Sequence, residues 1–581
     1  MSTAAIPGPM PATEAIVWAL AEAGVEYVLG MPGGYTGNIF AALFEHPTIR
    51  VVQVREESIG STMAEAYGRL TGRPVVVMGQ GEWIAGNAGQ GFLEALLGSS
   101  PVIILTEMSD GGALSHHGAY QAGTGDYGAW DARKALEGVT KRVFVSHFPA
   151  QAVQHTQLAI KHAMTGTPGP VAVVFHGEAL KGQVGPDSSP RLFSTQGYLP
   201  SMAKLFDAEA VEAAALALVE AKRPVIIAGN GVRVGQACAQ LSVFAESLDI
   251  PVATTAGGKG VLPEQHALSL GVMGTFGVPQ ANAAVGDADV IVAVGTRLAP
   301  IDTGDENPAL IDPARQTIIQ IDVEPLNAGW TFPADHALIG QAGFLLERLQ
   351  AAASNGSGAR GDRLSGRDRV REAIDRHGET MGEEFRSDAM PLAPQRIIGT
   401  LQDAFPGNGI ITSDAGENRL FMLHWFKGVL PGGYLMPAAG GGMGYAVPAA
   451  LGARLAFPDN PIVAVCGDGG FAMSIHALMT SVQEKLPITV IVFNNNALGW
   501  VTHGMGDKAV ANRFDEFDHA AIARSVGARG VRIESADHLR ATFGEITESR
   551  ETFVIDVPAS LATSFKDIVQ PLASNRWKRN Y

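Results

Sequence analysis

Residues Gly467 to Leu498 read GDGGFAMSIHALMTSVQEKLPITVIVFNNNAL, and this pattern decides the fold. An apolar run, Ile462 to Cys466, stops at Gly467, Asp468, Gly469 and Gly470, as a buried parallel strand does at its carboxyl end. A helix-length segment, Ala472 to Lys485, is closed by Pro487, and a second apolar strand from Ile488 to Phe493 ends in Asn494, Asn495 and Asn496. The unit is βαβ. A right-handed crossover sets the two strand ends side by side, so Asp468 and Asn495 open into one crevice, where open α/β sheets bind ligands. One carboxylate, one carboxamide oxygen and a loop carbonyl suit a hard divalent cation that takes its other ligands from phosphate and water. Glycines flanking Asp468 let a diphosphate approach the backbone amides closely. An ordinary turn in a βαβ unit is the plainer alternative.

With 581 residues the chain is sized for about three to four domains. Hydrophobic residues at 46% and charged ones at 17% describe a soluble globular composition, and 70 glycines exceed the usual share, as many tight strand-to-helix turns require. A net charge of −16 argues against nucleic acid or an anionic membrane surface as partners. Cys238 and Cys466 fall in separate predicted domains, one inside a strand, which predicts reduced thiols and a cytoplasmic location. The first residues lack a basic region ahead of an apolar core, and no run approaches bilayer-spanning length, so no membrane association is expected.

GDGG, a helix, a strand and NN at this spacing resemble the thiamine diphosphate signature of the acetolactate synthase, pyruvate decarboxylase and 2-hydroxyacyl-CoA lyase superfamily. The resemblance implies Asp468 and Asn495 as side-chain ligands of Mg²⁺, Ala497 as its carbonyl ligand, and Gly467, Gly469 and Gly470 around the cofactor. It also implies an α/β fold of three doubly wound parallel-sheet domains. These are a pyrimidine-binding domain (1–185), a central nucleotide-fold domain (201–350) and a diphosphate- and Mg²⁺-binding domain (390–560), followed by a tail or lid (561–581). In such proteins the central domain holds FAD, the ADP part of coenzyme A, or nothing; Asp322, at a predicted strand end, is placed to accept a ribose hydroxyl, and no GxGxxG fingerprint accompanies it.

Upstream, Gly30-Met31-Pro32-Gly33-Gly34 resembles the PGG loop of acetolactate synthases, which makes Gly33 a cofactor contact. MAEAYGRLTGRP, from Met63, resembles the segment that follows the family's catalytic glutamate, and counting back six residues gives Glu57, with Glu56 as the alternative one residue away. A carboxyl group bonded to the aminopyrimidine ring nitrogen favours the imino tautomer that removes the thiazolium proton. Two solvated glutamates opening a helix are the structural alternative. GQGEWIAGN, from Gly79, falls where relatives carry a GPGATN turn on the substrate side, and Glu82 and Trp83 depart from it. His116-His117 with Gly125-Asp126-Tyr127 resemble the paired histidines of pyruvate decarboxylases, whereas Ala119-Tyr120-Gln121 and Thr140-Lys141 resemble acetolactate synthases. Imidazoles at His116 and His117 could relay protons near neutral pH, or be surface polar residues.

In the last domain, Ser413-Asp414-Ala415-Gly416-Glu417-Asn418 falls where relatives have a turn whose amides touch the diphosphate, so Gly416 is a cofactor contact. Glu417 stands in place of a neutral residue, and a carboxylate there repels a diphosphate unless it is turned away or paired. AAGGGMGYAVPAALGA resembles the family's GLGTMGYGLPAAIGA; Met443 is then the wedge beneath the thiazolium and the Gly441 carbonyl the acceptor for the aminopyrimidine amino group. Trp500, Val501 and His503 are expected to face substrate. Gly504 replaces the substrate-sorting Trp of acetolactate synthases, and Val501 the glutamate of pyruvate decarboxylases. Basic residues Arg576, Lys578 and Arg579 around Trp577 would close over a phosphate-rich acyl-CoA, or fray in solvent.

The resemblance thus implies a thiamine diphosphate- and Mg²⁺-dependent enzyme that makes or breaks a C–C bond next to a carbonyl, by 2-oxo acid decarboxylation and carboligation. The alternatives are a 2-hydroxyacyl-CoA lyase, a simple 2-oxo acid decarboxylase and a catalytically silent homologue. Small carbonyl compounds are the expected substrates, with Glu57, His116, His117, Gln121 and His503 as catalytic candidates. Because Glu57 of one subunit is expected to serve the cofactor seated by another, a homodimer or homotetramer is implied.

Overall fold

The protein is described by a computed structural model covering residues 6, 8–109, 121–199, 206–355, 363–378, 382–546 and 550–568. His116, His117 and the basic cluster Arg576 to Arg579 lie outside the described residues. Runs of Val, Ile and Leu build three six-stranded sheets, each parallel throughout. The first contains β1 (Tyr27–Gly30), β2 (Arg50–Gln53), β3 (Val75–Met78), β4 (Val102–Glu107), β5 (Arg142–Ser146) and β6 (Val171–Phe175). The second contains β7 (Val225–Ala228), β8 (Val252–Thr254), β9 (Ser269–Val272), β10 (Val290–Val294), β11 (Thr317–Asp322) and β12 (His336–Ile339). The third contains β13 (Ile410–Ser413), β14 (Tyr434–Leu435), β15 (Ile462–Gly467), β16 (Thr489–Asn494), β17 (Arg529–Arg532) and β18 (Phe553–Pro558). Helices cover both faces, so central strands such as Val75–Met78 and Thr489–Asn494 are buried along their whole length.

Strand order places the crevices. The first sheet runs β2-β1-β3-β4-β6-β5 and the third β14-β13-β15-β16-β18-β17, the same topology twice. In the third, the order reverses between β13 and β15, so Ser413 and Gly467 end side by side. The central sheet runs β9-β8-β7-β10-β11-β12, the dinucleotide-fold order, with its switch point between β7 and β10.

Packing between the outer domains is close and rests on small residues. The helix Glu57–Thr71 lies against helices Gly89–Gly98 and Ala446–Ala456. A Cβ on Gly452 would sit 2.3 Å from the Met63 carbonyl oxygen, and one on Gly91 2.2 Å from Ser61 Oγ. Inside this seam Arg69, with its side chain 2% exposed, pairs with Glu65 at 2.9 Å and donates to the Met436 carbonyl at 2.7 Å and to Tyr445 Oη. Tyr445 in turn donates to Glu65 at 2.7 Å.

Local boundaries differ from the sequence reading in three places. The expected helix Ala472 to Lys485 is two helices, Asp468–Ser474 and Ala477–Glu484. The first starts at Asp468, whose carboxylate accepts from the Gly469 amide at 2.8 Å; it ends where Ser474 Oγ donates back to the Gly470 carbonyl at 3.0 Å, which bends the ladder. After the break, His476 turns out to meet Glu56 at 3.3 Å. The stretch from Gly79, expected as a turn, forms the helix Gly81–Asn87, and helix Ala342–Asn355 runs past residue 350, where the central domain was expected to end.

Candidate active site

Asp468 stands at the end of β15, 5% exposed. Its Oδ2 and the Oδ1 of Asn495 both accept from one amide, Ala497 N–H, at 3.2 and 3.1 Å. Two oxygens from the two strand ends therefore converge within reach of one another. Burial pushes the Asp468 carboxyl up to about 6 in spite of hydrogen bonds from the amides of Gly469, Ala497, Asn496 and Asn495. The loop is braced by an antiparallel bridge between Ala497 and Arg513, and by the Leu498 and Phe514 amides donating to the Asn512 and Asn496 carbonyls at 2.8 and 2.9 Å. Asn496 takes a left-handed φ of 52°, which turns the loop back sharply after Asn495.

Across the crevice, Gly416, with φ 98°, caps the helix Glu417–Trp425. In its first turn lies Asn418, 8% exposed, with its Oδ1 towards Gly416 and Gly467 and its Nδ2 buried without a hydrogen-bond partner among the described residues. A buried amide left without an acceptor costs roughly 1–3 kcal/mol, which a phosphate oxygen there would recover. The glycines of GDGG are bare for a reason. A Cβ on Gly469 would meet Met443 Cε and Leu498 at 3.1 Å and Phe514 at 3.3 Å, and one on Gly470 would strike Asp414 at 2.9 Å. Met443 thus lies over the turn that follows β15. One carboxylate, one carboxamide, an orphaned donor and a cradle floored by glycine together fit a magnesium-bound diphosphate.

Asp414, fully buried, holds the glycine loop in place by accepting from the amides of Ala415, Gly444 and Ala446 at 2.8, 2.9 and 2.9 Å. Burial lifts its carboxyl to about 6 against those bonds. The same loop, with Gly441 at φ 64°, is met from the first domain. Gln90 Nε2 donates to the Met443 carbonyl at 2.9 Å, and Glu94 accepts from the Gly442 amide at 3.0 Å. Burial and the nearby Glu65 raise the Glu94 carboxyl.

In the first domain Glu57 opens its helix, 4% exposed, and accepts from Asn87 Nδ2 at 3.1 Å. Glu56 has a different place: it caps the helix through the Ser58 amide at 3.1 Å, and although burial opposes it, the bonds from His476 and Ser58 keep its carboxyl below the usual range. Gly33 and Gly34 cross the end of the sheet against Gln80 and Glu107; a Cβ on either would fall 3.0 Å from Gln80 Oε1 or 2.5 Å from Glu107 Oε1. Gln121 accepts from Gln80 Nε2, and its carbonyl accepts from Trp130 Nε1 at 3.1 Å. Gly33, Gln80 and Gln121 are thereby brought together at one edge. Lys141 lies elsewhere, donating to the carbonyls of His162, Thr165 and Thr167 where the helix Pro149–Met164 ends.

His503 is engaged rather than open. Its Nδ1 meets Glu417 at 2.8 Å and its Nε2 the Leu561 carbonyl at 3.0 Å. In the central domain the ends of β7 and β10 approach closely, a Cβ on Gly229 falling 2.4 Å from the Gly295 carbonyl oxygen. Asp322 accepts from Asn327 at 3.1 Å and the Glu324 amide at 2.9 Å. Asp414, Asn418, Gln80, Asn87 and Glu94 were not singled out from sequence. Only Asp414 carried a signal, since it follows its strand as Asp468 does.

Comparison with known families agrees with this geometry. Residues 10–127 match the thiamine pyrophosphate enzyme N-terminal TPP binding domain, 211–349 the central domain and 414–557 the C-terminal TPP binding domain. The chain belongs to the thiamine pyrophosphate enzymes. Among its relatives is the probable acetolactate synthase large subunit of Methanocaldococcus jannaschii, 31% identical over 94% of this chain and 92% of that one. The acetolactate synthase isozyme 3 large subunit of Escherichia coli is 29% identical over 92% of each. Acetolactate synthase 1, chloroplastic, of Nicotiana tabacum is 28% identical over 94% of this chain and 82% of that one. This enzyme is therefore thiamine pyrophosphate-dependent and resembles acetolactate synthases over nearly its whole length. No helix among the described residues is long and apolar enough to cross a membrane.

Proposed function

We propose that this enzyme decarboxylates a 2-oxo acid and ligates the remaining fragment to a second carbonyl compound, as an acetolactate synthase does. The observation that carries this reading is the convergence of Asp468 and Asn495 on the Ala497 amide, in a chain similar end to end to acetolactate synthase large subunits. When bound, thiamine diphosphate supplies the nucleophilic carbon. Asp468, Asn495 and the Ala497 carbonyl would hold Mg²⁺, and Gly416, Asn418, Gly467, Gly469 and Gly470 would face the diphosphate. Glu57 would hold a proton against the aminopyrimidine ring, oriented by Asn87, with the Gly441 carbonyl and Met443 fixing the cofactor's bend. Gln121, at the Gly33 edge, would touch substrate, with His116 and His117 as proton-relay candidates.

We place the domains at 1–185, 201–350 and 390–560, with a tail or lid at 561–581, and the protein in the cytoplasm. The active assembly is a homodimer or homotetramer in which Glu57 of one subunit serves the Asp468 site of another. The central domain is structural in this proposal. What supports this is Asp322, the expected ribose acceptor, which already accepts from the Glu324 amide and Asn327.

The test is incubation of protein reconstituted with thiamine diphosphate and Mg²⁺ with pyruvate, followed by product analysis. Acetolactate is the expected product. Free acetaldehyde alone would make it a simple decarboxylase, cleavage of a 2-hydroxyacyl-CoA in place of pyruvate a lyase, and no turnover with cofactor bound a silent homologue.

A further inference from the structure

Glu417 is the residue that the cofactor chemistry should disfavour. It is the first helical residue after Gly416, 7% exposed, in the turn beside which the diphosphate is expected to sit. Its carboxylate is turned away and fully engaged. Oε2 meets His503 Nδ1 at 2.8 Å, while Oε1 accepts from the Phe565 amide at 2.7 Å and from Ser564 Oγ at 3.1 Å. Both neighbours of the His503 ring, Glu417 and the Leu561 carbonyl, are acceptors, so a hydrogen on each ring nitrogen satisfies both. Three separate pieces of chain therefore meet at one carboxylate. They are the helix that starts at Gly416, the helix Gly499–Met505 that follows the metal loop, and the segment 560–568 near the carboxyl end.

The gap between them is tight. A Cβ on Gly499 would lie 3.1 Å from Glu417 Oε2 and 3.2 Å from Asn495 Nδ2, so the carboxylate and a proposed metal ligand border the same bare position. The carboxyl-terminal segment is seated on this node by apolar contact as well. Phe565, 1% exposed, packs edge-on against Phe276, Phe421 and Trp425, and Lys566 Nζ lies 4.7 Å over the Trp500 ring.

We propose that Glu417 is a positioning residue for the cofactor seat: by clamping His503, Ser564 and the Phe565 amide, it fixes the metal-loop helix and the carboxyl-terminal strap to the Gly416 turn. The inference rests on reading Asp468, Asn495 and Gly416 as the seat of the metal-bound diphosphate, and it does not depend on which reaction follows. An acid here costs little repulsion because its charge is spent on His503 and two donors.

The experiment uses the full-length protein and E417A. Two quantities are measured: the dissociation constant of thiamine diphosphate with saturating Mg²⁺, and the rate of tryptic cleavage after Lys566, followed by mass spectrometry. Loss of charge-assisted bonds predicts a cut at Lys566 faster by on the order of ten- to a hundredfold, and cofactor binding weaker by at least about tenfold. E417Q should restore most of both, since its Oε1 can accept from Phe565 while its amide nitrogen donates to a neutral His503. If E417A does not fold, H503A carries both expectations and S564A the strap expectation alone. Tighter cofactor binding in E417A would mean that the carboxylate only repels diphosphate, and a faster cut with unchanged cofactor binding would mean that it only anchors the terminus. Either result overturns the proposal. A protein that binds thiamine diphosphate as expected yet makes no acetolactate would overturn the reaction assigned above and leave this inference standing.

Discussion

Replacing Gly452 by Ala tests whether the seam between the first and third domains sets the geometry of catalysis. In the middle of helix Ala446–Ala456, an added Cβ would lie 2.3 Å from the Met63 carbonyl oxygen and 3.1 Å from Ala66 Cβ. Real carbon atoms do not approach such an oxygen within 3.0 Å, so the helices must separate by about 0.7 Å or more. The Met63 carbonyl belongs to helix Glu57–Thr71 and cannot swing aside, so the shift passes to the helix that begins with Glu57, about 9 Å away. Overpacking costs about 1–3 kcal/mol, while the helix gains about 1 kcal/mol from Gly to Ala. The net loss of about 0–2 kcal/mol corresponds to a drop of at most a few degrees in Tm. Displacing Glu57 by close to 1 Å predicts a fall in kcat on the order of a hundredfold, out of proportion to the change in stability. The control is G544A, at the end of helix Ala536–Gly544, where an added Cβ meets nothing within 4 Å and Tm should rise slightly. Thermal unfolding and initial rates of pyruvate consumption read the two effects. If G452A behaves like G544A in both, the seam does not position Glu57 and the reasoning fails.

Three further outcomes are expected. Arg69→Ala leaves Glu65, whose side chain is fully buried, without its countercharge, and should cost about 3–5 kcal/mol in chemical denaturation; replacing both residues by apolar ones should recover most of it. Asp414 has a folded-state carboxyl raised to about 6 from 3.8, so its proton favours the folded state; this contribution is present below pH 4 and is lost as pH rises through 6, about 3 kcal/mol in all. D414N should show stability that declines less with pH across that window, by thermal unfolding at matched ionic strength; parallel curves would refute it. Dialysis against EDTA should strip both metal and thiamine diphosphate, with activity returning on adding the two together, and N495A should need Mg²⁺ at a concentration higher by at least about tenfold for half-maximal rate.

How much of this was legible in the sequence depends on how far apart the cooperating residues lie. Strand ends announce themselves locally: Val465-Cys466-Gly467-Asp468 and Val492-Phe493-Asn494-Asn495 each pass from apolar to turn-forming residues at a sheet edge, and the crossover rule then brings the two ends together. Glu57 was singled out because its helix carries a recognisable tail, and the structure buries it beside Asn87 while Glu56 caps the helix. The helix break at Ile475 escaped notice because it depends on Ser474 bonding back to Gly470, a competition within the helix that periodicity cannot register. The seam built from Gly452, Arg69, Tyr445 and Glu94 escaped for another reason. Each of these residues looks like an ordinary helix or loop residue until a partner hundreds of positions away is set against it. Glu417 shows the limit most clearly. Judged by its neighbours in sequence it contradicts the site, since a carboxylate beside a diphosphate is repulsive. The donors that neutralise it, Ser564 and the Phe565 amide, lie 147 and 148 residues downstream, and His503 lies 86. A departure from family pattern at a charged position is therefore a prompt to look for a distant counter-group. In this protein that group ties the carboxyl-terminal strap to the same turn on which the cofactor is expected to rest.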